Sequence, residues 1–94
     1  MPSMNTDEDL DRWKQVRDAA AACGGAFKGK INKYKKYGEY SFEAEWNPDF
    51  VKSDIFKTLS SIDVLSLVEG NPWFFGGRVR QRTETTVSGV VYTD

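Results

Sequence analysis

Arg78, Arg80 and Arg82 stand two apart, and on an extended strand that spacing aims all three from one face together with Phe74. Guanidinium groups among apolar side chains are the material of a protein interface, because Arg and aromatic residues are enriched at interface centres and Lys is depleted. A neighbouring strand would add Leu65 and Leu67. The partner-binding face read from the sequence is therefore Leu65, Leu67, Phe74, Arg78, Arg80 and Arg82.

A second chemistry lies in the basic, aromatic run from Lys28 to Tyr40. Lysines on phosphates with tyrosines stacked on bases describe many sequence-tolerant single-strand binders. Pairing Lys28 with Glu45 and Lys30 with Glu43 across a hairpin leaves Lys33, Tyr34, Lys35, Lys36 and Tyr37 for nucleic acid. Lysines at such a tip also guard a sheet edge against aggregation. A third reading is a small-ligand cup or an enzyme site lined by Trp46, Trp73 and Tyr92, which requires a large apolar pocket.

Other patterns carry less. The chain has no histidine, so the usual general base and the commonest metal ligand are missing. Asp7-Glu8-Asp9-Leu10-Asp11 lacks the loop glycine and terminal glutamate of an EF-hand, and compensation of a helix dipole accounts for it. Glu43 and Glu45 share a strand face in the manner of a glycosidase pair, yet an exposed strand with lysine partners would not desolvate either carboxylate. Gly76-Gly77 matches neither a phosphate loop nor a dinucleotide fingerprint and is read as a bulge, with a ligand-facing concavity as the alternative. Cys23, the one cysteine, forms no intramolecular disulfide and is read as a buried structural thiol in a reducing compartment. No cofactor and no metal are expected.

These groups must be positioned by a small scaffold. Ninety-four residues with 39% hydrophobic side chains, among them three Trp, four Tyr and six Phe, suffice for one core, so residues 1–94 are read as a single compact domain with 1–5 flexible. A helix is expected from Asp7 to Cys23, capped by Thr6 and stopped at Gly24-Gly25, with Leu10, Trp13, Val16, Ala20 and Cys23 in one stripe. A hairpin over Ala26–Tyr34 and Glu39–Trp46 follows. Placing Tyr34 opposite Glu39 sets Ile31 on Phe42, Gly29 on Ala44 and Phe27 on Trp46.

Asn47-Pro48 opens a second helix ending near Ser60-Ser61. Residues 62 to 69 fit either a helix stopping at Gly70-Asn71-Pro72 or a strand. The strand is preferred for its β-branched Ile62, Val64 and Val68, paired so that Val68 meets Trp73 and Asp63 meets Arg78. A last hairpin sets Arg82 against Val87, Val79 against Val90 and Gly77 against Tyr92. The expected fold is α+β, an antiparallel sheet of about five strands with two helices on one face, in the order α-β-β-α-β-β-β.

The net charge of −1 supplies no global field for nucleic acid or an anionic membrane, and no stretch approaches a transmembrane length. The N-terminal residues lack a secretory pattern, so a cytoplasmic location is expected. The functional expectation is a non-enzymatic interaction module, regulator or inhibitor, docking on another protein or ribonucleoprotein or on a second copy of itself. Phage- and mobile-element-encoded viral inhibitors have this size and character, an analogy resting on no residue.

Overall fold

The computed structural model describes residues 6–93, and the expectation of flexibility at 1–5 lies outside them. Thr6 starts the first helix as its type suggests: Oγ1 accepts the Asp9 N–H at 3.1 Å, and Asp7, Glu8 and Asp9 face the positive dipole end. Helix α1 (Asp7–Ala22) buries Trp13, Val16 and Ala20. It closes where backbone N–H groups of Cys23, Gly24 and Gly25 return to the carbonyls of Ala20 and Ala21.

Strands β1 (Asn32–Lys36) and β2 (Glu39–Glu45) come next, then three helices, α2 (Pro48–Val51), α3 (Asp54–Lys57) and α4 (Ser61–Glu69), and finally β3 (Gly76–Arg82) and β4 (Thr86–Tyr92). The chain is α+β with a four-stranded antiparallel sheet in the order β1-β2-β4-β3. The fifth strand does not form.

The helix expected after Asn47 is broken at Ser53, which is extended and whose Oγ donates to the Phe50 carbonyl at 2.6 Å. The break has a packing reason. Phe50 and Phe56 are six residues apart, about 240° around one straight helix, yet here both reach Trp46, with ring centroids at 6.1 and 5.0 Å. Asn47 ties this region back to α1: its Oδ1 caps Asp49 while its Nδ2 donates to the carbonyls of Cys23 and Gly25.

Residues 62 to 69 coil, which corrects the strand reading. Ser60 and Asp63 form a reciprocal capping box, Gly70 closes the helix in the left-handed conformation, and the Asp63 carboxylate takes Arg12 of α1 at 2.9 Å. Each helix cap is worth about 1 kcal/mol, against a few tenths lost per β-branched residue in a helix. The helix wins on that balance. Its pattern misleads because Asp63, Val64, Leu65 and Ser66 are all buried, leaving no polar stripe to announce a helical period. The proposed pairs of Val68 with Trp73 and of Asp63 with Arg78 accordingly do not exist.

The first hairpin keeps its expected register at the base, where Phe27 bridges Trp46 and the Lys28 ammonium lies 4.0 Å from Glu45. Beyond it, four residues, 28 to 31, stand opposite two, 44 and 45. Asn32 then meets Glu43, and the strands run on to Lys36 and Glu39 around a two-residue turn. The expected Lys30–Glu43 pair is thus replaced by Asn32 opposite Glu43.

The second hairpin behaves in the opposite way. Arg82 faces Val87 as expected, but a bulge between Val79 and Gln81 shifts the remainder by one, so Val79 meets Gly89, Gly77 meets Val91 and Gly76 meets Tyr92. The irregularity lies at Arg80 and not at the glycine pair.

Tyr40, Phe42, Ala44, Val87 and Val91 face the helices and join Val16, Ala20, Phe50, Phe56, Leu59, Val64, Leu65, Val68 and Phe74 in one apolar cluster. The opposite face carries Tyr34, Ser41, Glu43, Arg78, Ser88, Val90 and Tyr92 by register. Cα extents of 35 × 30 × 18 Å suit one layer of helices on one sheet. Among the described residues no helix is long and apolar enough to cross a membrane.

Candidate functional site

The bulge at Arg80 decides what the three arginines do. Arg78 pairs with Val90 on the open sheet face and is exposed. Arg80 is the extra residue of the bulge and is also exposed. Arg82 turns to the helix side, where its Nη1 donates to the Leu59 carbonyl at 3.0 Å and its Nη2 to the Phe56 carbonyl at 2.9 Å. The same guanidinium lies over the rings of Phe56 and Trp46, with centroids at 4.8 and 5.8 Å. Burial pushes its pKa down, against the opposing influence of the Asp63 charge. Arg82 therefore holds the end of α3 to the sheet.

The six residues nominated as one strand face are divided. Leu65 is 2% exposed and Phe74 8%, both inside the core; Leu67 is half-buried against it. Only Arg78 and Arg80 keep exposed side chains away from structural duty. Leu65 is drawn inside because 62–69 coils and Phe74 because it lies in the connection before β3, while the bulge turns Arg82 to the helix side.

The basic hairpin is divided as well. Lys33 and Lys35 lie on the side of Tyr40, with their ammonium groups 5.0 and 4.9 Å from its ring centroid. Tyr34 and Lys36 point to the other face, and Tyr37 occupies the turn, fully exposed. Of the proposed cup, Trp46 is buried beneath Phe27, whose ring stacks on it at 5.0 Å. Cys23 is half-buried at the end of α1, and Glu43 and Glu45 are exposed. Among the described residues no group of three or more His, Cys, Asp or Glu is placed to hold a metal ion.

The other two cup residues do come together, with companions the sequence reading did not select. Glu69 ends α4, Trp73, Phe74 and Phe75 form the connection to β3, and Val91, Tyr92 and Thr93 end β4; these seven line a cleft of about 330 Å³ at one end of the sheet. Its floor includes the buried Phe74 and Val91. Trp73, Phe75 and Tyr92 are 49%, 53% and 43% exposed. Gly76 supplies a φ of +149° that L side chains rarely adopt, and Cδ2 of Tyr92 lies in ordinary contact range, 3.5 Å from where a Cβ would stand. The expected covering of a glycine by Tyr92 thus holds, one residue earlier than expected.

Asn71 builds the connection itself, since its Oδ1 accepts the Trp73 N–H at 2.8 Å. Glu69 lines the cleft, and its Oε1 is buried without a hydrogen-bond partner. The signal available in the sequence was Trp73-Phe74-Phe75 directly after a helix stop, three aromatics where a connection is normally polar. No protein-family model, curated protein or solved structure matches this chain.

Proposed function

We propose that this chain is a non-enzymatic interaction module that docks a partner protein through Trp73, Phe75 and Tyr92, with Arg78 beside them on the open sheet face. The observation that carries this reading is the half-exposure of three large aromatic side chains around one cleft. Aromatics left in water are ready to gain from burial, and Trp, Tyr and Arg dominate the binding energy of protein interfaces. Arg78 and Tyr92 are diagonal neighbours on the same sheet face, because Arg78 pairs with Val90 and Gly76 with Tyr92.

The test is quantitative recovery of partners from the native host by the wild type and by Trp73→Ser with Phe75→Ser. Loss of a partner in the double variant, with the fold retained, is expected; undiminished recovery would overturn the reading. Sedimentation at micromolar concentration tells a foreign partner from a second copy, and a dimer that dissociates in the double variant assigns the patch to self-association. Nucleic-acid binding through residues 33 to 37 has less to rest on, since that patch is split between two faces and two of its lysines lie over Tyr40. A low-salt gel shift abolished by Lys33→Ala with Lys35→Ala would restore it.

A further inference from the structure

The cleft is not only apolar. Glu69 contributes a carboxylate whose Oε1 is buried without a hydrogen-bond partner. Among the described residues no basic side chain lies within ion-pair distance of it. A carboxylate partly withdrawn from water with no cation beside it favours positive charge brought up from outside the chain.

The ligand chemistry follows by elimination. A wholly apolar occupant would bury the carboxylate further with nothing to compensate it. An anion would meet the carboxylate and the negative ring faces. A neutral polar group would exchange water for aromatic surface at a loss. An alkylammonium group suits every wall: its methyl or methylene surface packs on the rings, and its positive charge is drawn both to their faces and to the carboxylate. The cleft, at about 330 Å³, is of the lower size found for small-ligand sites, about 300 to 1,000 Å³.

We infer that the Glu69–Trp73–Phe75–Tyr92 cleft binds an alkylammonium group, supplied as a lysine side chain of the partner protein and favoured when that nitrogen is methylated. Methylation weakens hydration of the cation while keeping its charge, so transfer from water to aromatic walls becomes easier. This inference rests on the docking reading above and adds to it the charge of the group that is recognised.

The experiment uses the intact chain and three blocked amino acids: Nε-trimethyllysine, lysine, and a neutral isostere of trimethyllysine with a tert-butyl end. Binding is followed by NMR shifts of the three Trp indole N–H signals, of which only Trp73 belongs to an exposed ring. The expected order is trimethyllysine, then lysine, then the isostere, the first and last separated by roughly tenfold in Kd. Glu69→Gln is expected to weaken trimethyllysine by about the same factor and to leave the isostere unchanged. Choline, tested alongside, binds less tightly than trimethyllysine if the rest of the lysine chain contributes.

Equal affinity for the isostere, or no effect of Glu69→Gln in a variant with unaltered melting and NMR dispersion, overturns the cation inference. Absence of any Trp73 shift overturns it too. Choline binding more tightly than trimethyllysine overturns the lysine source. These failures are separable from failure of the docking reading: a merely apolar interface loses its partner in Trp73→Ser with Phe75→Ser and keeps it in Glu69→Gln, whereas a cation site loses it in both.

Discussion

Both hairpins of the sheet depart once from uniform pairing, and the consequences differ. Between Phe27 and Asn32 the first hairpin carries two residues more than its partner strand, so Lys33 and Lys35 stay on the side of Tyr40. Between Val79 and Gln81 the second carries one more, and Arg82 moves to the helix side while Arg78 stays on the open one. Side chains alternate with period two, so an even insertion preserves a strand's faces and an odd one exchanges them. The single extra residue turns one arginine of a row into a structural clamp and leaves another free for contact.

The two regions differ equally in what lies over them. Every residue of β1 is exposed, whereas β4 has Val87, Val90 and Val91 almost fully buried. Val90 is covered although it faces away from the helices, where Ser41 and Arg78 flank it. An edge ribbon of lysines tolerates change; the central strand does not.

Four substitutions break or sharpen this contrast. The largest effect belongs to the base of the first hairpin, where Trp46→Ala removes contacts with Phe27, Phe50, Phe56 and Arg82. A loss of about 3 to 5 kcal/mol in denaturant unfolding is expected. Next is Gly77→Ala, where the new methyl group would overlap the Val90 carbonyl oxygen and stand 3.3 Å from Leu65 Cδ1. Overpacking of this kind costs about 1 to 3 kcal/mol, and a methyl at this position has backbone against it, so the upper end is expected by the same measurement.

The smallest effect separates the arginines most cleanly. Arg82→Met takes the guanidinium donor from the Leu59 carbonyl and from the Phe56 carbonyl, which keeps the Leu59 N–H, and is expected to cost about 1 to 2 kcal/mol. Arg78→Met, on the open face, stays within about 0.5 kcal/mol. Equal costs at both positions would mean that the bulge does not direct Arg82 inward. The lowered pKa of Arg82 has a definite sign: burial disfavours its charged form, and that cost is relieved only as the guanidinium loses its proton with rising pH. Across about pH 6 to 9 the arginine remains charged, and the difference between the two variants should be independent of pH.

Much of the scaffold was legible because its signals are local. Thr6 with its following carboxylates, the alternation in 39 to 46, and the pairings of Phe27 with Trp46 and Arg82 with Val87 all follow from adjacent residue types, and each is present. The candidate site was legible only in fragments. Trp73 and Tyr92 were selected for a cup with Trp46, but Trp46 lies in the core, and Glu69 and Phe75 gave no periodic signal of their own.

Residue types by themselves determined the class of fold, the first helix and the open hairpin ends, since propensity, capping and alternation act over a few residues. Tertiary structure decided that 62–69 coils and that Arg82 faces inward. It also brought the end of α4, the 73–75 connection and the end of β4 around one cleft. The first two outcomes depend on contacts with distant groups: Arg12 on Asp63, and the carbonyls of Phe56 and Leu59 on Arg82. No window of neighbouring residues contains both partners of any of them.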